Sequence, residues 1–293
     1  MKTIKIFCEV HDFWKQFQVE WEKILLPESR RKRRKACRLC LSEVMTIVIL
    51  FHFSRYRTFK DYYQKQVLTS YRHYFPHLVS YNRFVELMQA CSVPLALFMS
   101  RQRLEQTKGV AFIDSTALAV CENTRIHQHQ VLADKAQRGK TSTGWFFGFK
   151  LHLVINHMGE IISFCLTAGN TDDRKPVELL TKHLWGRLFA DKGYISQSLK
   201  DRLKDKGVDL ITKLRKNMKQ QLLPLFDQLM LRKRALIESV NDFLKNTCQI
   251  QHTRHRSKNN WLVNLISGLV AYSFLPKKPE LKFSQQQTKL LFA

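Results

Sequence analysis

The chain has 293 residues, 44% of them hydrophobic, with 49 Lys and Arg against 24 Asp and Glu for a formal net charge of +25. A chain of this length can bury a full core, which excludes dependence on disulfides, and so large a positive surplus points to a polyanionic partner. Nucleic acid is the first such partner and an anionic membrane surface the second, but the longest apolar run, VMTIVILFHF at 44–53, is about half the roughly 20 residues a bilayer crossing needs.

The first half, residues 1–105, reads as all-helical. MKTIKIFCEVHDFW lacks the apolar run and cleavage site of a secretory signal, so a cytoplasmic location is expected. Seven cysteines scattered through apolar stretches read as reduced thiols, and the Cys37/Cys40 pair has no second pair at zinc spacing. The basic run Arg30, Arg31, Lys32, Arg33, Arg34, Lys35 suits backbone binding to DNA, with a solvated charge run as the alternative. Helical spacing covers 43–53, 59–67 and 82–91, and Ser80 is an N-cap that could open a recognition helix. The aromatic stripe here reads as packing before base stacking.

From Val110 the texture turns to strands: VAFIDSTALAV, then WFFGFKLHLVIN and IISFCLTAG joined by a hairpin at Met158-Gly159-Glu160. The segment 123–144 between the first two is long for a turn; it carries Arg125, His127, His129, Lys135, Arg138 and Lys140 and reads as a DNA-contacting or plain polar surface loop. On the second strand Lys150 and His152 share a face, either to meet phosphate or as solvated residues. Asp172 and Asp173 read as caps of a helix through Val177, Leu180 and Leu184. A strand at 187–190, a helix at 196–206, a strand at 208–213 and a helix at 232–245 follow. This element order is that of the RNase H-like fold, a mixed α/β sheet flanked by helices, although other α/β arrangements share the texture.

In that fold the first and fourth strands lie side by side, so carboxylates at matching levels face one pocket. Asp114 is a charge inside a strand, where an apolar or β-branched residue is expected. Asp191 ends the fourth strand before the Gly193 turn; an ordinary turn aspartate is the alternative. The last helix offers Glu238 and Asp242. Ile237, Val240 and Leu244 form its apolar face, while Arg234, Glu238 and Lys245 stack on another, which favours Glu238; a plain i,i+4 ion pair with Arg234 is the alternative. Clustered carboxylates repel unless divalent cations neutralise them, and two hard ions about 4 Å apart serve phosphoryl transfer. Asp114, Asp191 and Glu238 are therefore the candidate catalytic and metal-ligating residues for Mg2+, with Mn2+ as substitute, and Arg234 and Lys245 the flanking phosphate contacts.

The stretches FIDST, GWFFGFKLH, FADKGY and RALIESVNDFLK, continuing into HTRHRS and WLVNLISGLVAY, resemble bacterial insertion-sequence transposases of the DDE class, specifically the insertion-sequence 982 family, over most of the chain. Related enzymes carry Y-x2-R-x3-E-x6-K; Arg234, Glu238 and Lys245 match its last three members, and Leu231 stands at the tyrosine. The resemblance implies a helical DNA-binding region at 1–105, a catalytic domain at 106–275 and a tail at 276–293. It also implies end cleavage at terminal inverted repeats, transfer of the 3′-hydroxyl to target DNA, a homodimer on DNA, and a bacterial, nucleoid-associated location. A host nuclease on the same fold and a catalytically silent DNA-binding descendant are the rival readings.

Overall fold

The computed structural model describes residues 2–25, 37–103, 109–142, 144–213, 223–251 and 255–281; the basic run 30–35 lies outside them. By contact the chain forms two units, Met1–Arg101 with Leu244–Phe274, and Gln102–Phe243 with Leu275–Ala293.

The first unit opens with α1 (Lys2–Leu25) and α2 (Leu41–Phe51). Next, α3 (Phe59–Tyr62) runs through a π turn, Tyr63–Val67, into α4 (Leu68–Ser70); α5 (Tyr81–Met88) and α6 (Ser92–Arg103) follow. The described residues of this stretch hold no strand. Local chemistry sets the helix starts. Glu43 accepts the Cys40 amide at 2.7 Å before α2, Thr58 the Asp61 amide at 3.1 Å before α3, and Ser80 the Arg83 amide at 3.4 Å before α5, each satisfying an orphan donor. The aromatic stripe is packing: Tyr62, Tyr63 and Phe84 are fully buried, with Phe84 stacked on Phe59 at 5.6 Å between centroids.

In the second unit β1 (Val110–Cys121), β2 (Gln137–Thr141), β3 (Gly144–Asn156) and β4 (Ile161–Ala168) are antiparallel, while β5 (Gly186–Ala190) and β6 (Val208–Thr212) run parallel to β1. The order is β4-β3-β1-β5-β6, with β2 sharing the β4 edge of the long β3. That is the expected RNase H-like mixed sheet. One face, through Ala111, Ile113, Leu188 and Leu210, packs on α7 (Val177–Leu180) and α8 (Gln197–Lys204). The other meets α9 (Leu225–Lys233) and α10 (Ala235–Asp242), where Arg187 lies 5.0 Å over the Phe226 ring.

Three local differences from the sequence reading have physical causes. Segment 123–144 is not all loop: it contains a 3-10 turn, Asn123–Gln128, and β2, which escapes pattern reading because Gln137, Arg138 and Lys140 are exposed polar residues on an edge. Helix α7 stops at Leu180, and its N-cap is Pro176. Asp172 instead accepts the Arg174 amide at 2.9 Å in a turn of its own, so neither it nor Asp173 caps a helix. The single helix expected over 232–245 is two, broken at Arg234 and ending in a π turn, Phe243–Thr247.

The last helix, α11 (Lys258–Ser273), is buried almost all round and belongs by contact to the first unit, where it packs on α2. The linear division at 105 and 275 kept this segment with the sheet. An apolar helix with no polar face needs a neighbour on every side, and α2, equally apolar from Val44 to Phe51, supplies one. Gly268 permits the close approach around it: a Cβ there would stand 2.4 Å from the Ile250 side chain.

Candidate active site

Strand register positions the first two acids. Phe112 pairs with Phe189 across parallel β1 and β5, so Asp114 and Asp191, each two residues further on, leave their strands at one level and toward one face. Asp191 begins a 3-10 turn, Lys192–Tyr194, where the chain bends away and bares the side chain. Glu238 comes from the first turn of α10, which packs against β1 on that face.

Arg234 joins them. At the break between α9 and α10, its guanidinium lies 3.6 Å from Asp114, 3.9 Å from Asp191 and 3.0 Å from Glu238. The arginine side chain is only 15% exposed, against 53% for Asp191 and 59% for Glu238. Its Nη1 is buried and makes no hydrogen bond, although Asp114 is near. One cation thus faces three anions. Burial, offset by Arg234 and a Ser115 amide but reinforced by Glu238 and Asp191, raises the Asp114 carboxyl to about 6. Among the described residues no three His, Cys, Asp or Glu side chains are gathered tightly enough to hold one ion as they stand; the acids are spaced around the guanidinium.

The sequence reading had Arg234 facing DNA phosphate, with a surface ion pair to Glu238 as the alternative. The pair exists, but the guanidinium also turns inward to both aspartates, which helical spacing alone does not reveal. Lys245 lies in the π turn beyond α10, within the segment assigned by contact to the first unit. Lys150 and His152 share a strand face as expected, but it is the face opposite Asp114, because Asp114 pairs with Leu153. Lys150 is ion-paired to Asp173 at 2.9 Å and donates to the Thr171 carbonyl, so it is engaged within the protein. His152 is fully buried beside Thr167 at 2.8 Å, and burial lowers its pKa to about 4. A neutral, buried ring is neither of the solvent-facing roles expected of it.

Pattern reading missed Tyr194. Its hydroxyl is buried beside Ser115, with Asp114, Asp173 and Arg234 around it, and burial pushes its pKa well above the usual tyrosine value. The aromatic after the Asp191-Lys192-Gly193 turn was the available signal.

No curated protein matches the chain. Among solved structures it is similar to the piggyBac transposase synaptic complex with hairpin DNA, with 11% identity, a TM-score of 0.48 and coverage of 98% of this chain and 77% of that one. It is also similar to the Mos1 transposase paired-end complex with left transposon end (10% identity, TM-score 0.25, 90% and 88% covered) and to the Mos1 strand transfer complex (12%, 0.23, 83% and 78%). Identity rests instead on the domain match. Residues 104–258, more than half of the chain and spanning all three acids, match the family described as a transposase DDE domain, and the chain belongs to that family of DNA transposases.

Proposed function

We propose that this enzyme cuts DNA at the ends of a bacterial insertion sequence of the 982 family and joins the freed 3′-hydroxyl to target DNA, with Asp114, Asp191 and Glu238 as its acidic triad. The observation that carries this reading is the convergence of the three carboxylates, from the middle of β1, the end of β5 and a helix, on the single Arg234 guanidinium.

The donor set fits hard divalent cations, Mg2+ first and Mn2+ as substitute. Three carboxylates outnumber the one positive group they surround, and the burial that raises the Asp114 carboxyl is an effect that further positive charge would oppose. Two bound ions supply a nucleophile at neutral pH and charge stabilisation on the phosphate. The chain's own part is alignment. Two aspartates are fixed by sheet register, and Glu238 by a helix packed on that sheet. Arg234, long and with five donors, can exchange its carboxylates for phosphate oxygens when DNA enters. No side chain needs to form a covalent bond with DNA. The net charge of +25 suits the backbone. The basic run at 30–35 and the Ser80-capped α5 are candidate DNA contacts in the N-terminal part of the sequence, and two ends cut together call for a homodimer on DNA. Such an enzyme works in the bacterial cytoplasm at the nucleoid; no described helix is long and apolar enough to cross a membrane.

The test is divalent-metal-dependent nicking of a plasmid carrying the element's own ends. Asp114→Asn, Asp191→Asn and Glu238→Gln should each lower cleavage on the order of 10³-fold while gel-shift binding persists. Cleavage by all three variants at the wild-type rate would remove the triad assignment.

A further inference from the structure

The hairpin formed by β2 and β3 carries an exposed aromatic bracketed by cations. Trp145 is 55% exposed, whereas the next residues along β3, Phe146, Phe147 and Phe149, are buried. Arg138 and Lys140 of β2 each hold their charge 5.6 Å from the Trp145 ring centroid. This is register, not chance: Lys140 is directly opposite Trp145 and Arg138 opposite Phe147, so all three point to one face. Among the described residues no carboxylate pairs with either cation.

The hairpin is also braced. Asn123 donates to the Trp145 carbonyl at 2.7 Å, and Gly139 lies so close to the turn after β4 that a Cβ on it would stand 2.2 Å from the Gly169 carbonyl oxygen. A tryptophan kept for packing has no reason to stand outside such a well-anchored edge. The direction of the patch is informative as well. The pleat of β3 sends residue 145 to the same face as Leu153, and Leu153 is the partner of Asp114. Trp145, Arg138 and Lys140 therefore open toward the catalytic side of the sheet, about 26 Å along the strand from the level of Asp114.

We propose that this hairpin is a separate DNA-binding site, away from the three acids, that stacks Trp145 on an unpaired base and holds the adjoining phosphates with Arg138 and Lys140. A half-exposed indole beside two cations suits single-stranded DNA, whose bases offer a free π face; a closed duplex would use only the two charges. The proposal rests on the reading that DNA is the partner.

Fluorescence anisotropy of the full chain with a labelled dT 20-mer and with a duplex of equal length tests it across a salt series. Trp145→Ala should weaken dT binding on the order of tenfold, with duplex binding within about twofold, and Trp145→Phe should restore most of the loss. The Arg138→Gln, Lys140→Gln double variant should weaken both ligands and reduce the salt slope by roughly one to two. Wild-type affinity of Trp145→Ala for dT, or equal losses on both ligands, overturns base stacking while leaving the DNA reading intact. Failure of the wild type to bind either ligand overturns both. A lowered melting temperature in Trp145→Ala shifts the decision to Trp145→Phe, which must then bind dT nearly as the wild type does or the proposal fails.

Discussion

The helical unit holds a buried ionisable group, His52, and the sheet unit a largely enclosed one, Arg234, and the two are treated in opposite ways. In the helical unit, His52 is 4% exposed; its Nδ1–H donates to the Cys248 carbonyl, leaving Nε2 to accept from the Ser267 hydroxyl at 2.8 Å. The ring is neutral, with burial lowering its pKa to about 4, and its demands are met. In the sheet unit Arg234 is shared by three carboxylates and still leaves a buried Nη1 without a hydrogen bond. A group whose partners match its valence is a structural fastener. One with surplus partners of a single sign leaves an excess of negative charge that added positive charge would offset.

Changing pH probes the satisfied side and has the largest expected effect on stability. Above pH 6.5 His52 is neutral whether the chain is folded or not. Between 6.5 and about 4 only the unfolded chain takes up the proton, so stability present above pH 6.5 is lost as pH falls, by about 3 kcal/mol at ~1.4 kcal/mol per unit. His152, lowered in the same way, should contribute a parallel loss. Urea unfolding at pH 7 and pH 4.5 checks this: His52→Asn should remove roughly half of the pH-dependent loss, and an unchanged slope breaks the contrast from the helical side.

Divalent metal probes the other side. Without DNA, Mg2+ or Mn2+ at about 100 times its dissociation constant should stabilise the wild type by ~2.7 kcal/mol in thermal unfolding. Asp191→Asn and Glu238→Gln should lose most of that gain and His52→Asn none of it. A smaller effect sharpens the comparison further. Arg234→Gln removes the lone cation and leaves three carboxylates facing one another, so at low salt and without metal it should cost about 1–2 kcal/mol. Added Mg2+ should recover that loss if the guanidinium and the ions answer the same demand. A loss indifferent to metal would show that Arg234 is only a packing and ion-pair residue.

Much of this was legible before any coordinates. Strands at 110–121, 144–156 and 161–168 follow from β-branched and aromatic runs, and the capped start of α5 from Ser80. Asp114 drew attention as a charge in an apolar strand. Strand β2 was not legible, because an exposed edge strand needs no apolar alternation, and the break at Arg234 was not, because helical periodicity runs smoothly across it. His152 shows the limit most directly. Alternation puts it on a face with Lys150, yet whether that face meets water depends on what covers it.

Local chemistry in the amino-acid order thus determined which segments form strands and helices, the positive charge that suits a polyanion, and the three acids worth pairing. The tertiary structure alone decided that Arg234 turns inward to all three, that Lys150 and His152 lie on the opposite face of the sheet, and that residues 244–274 pack with the helices at the start of the chain. Those outcomes depend on contacts between residues far apart in sequence, and no local pattern encodes which partner a face will meet.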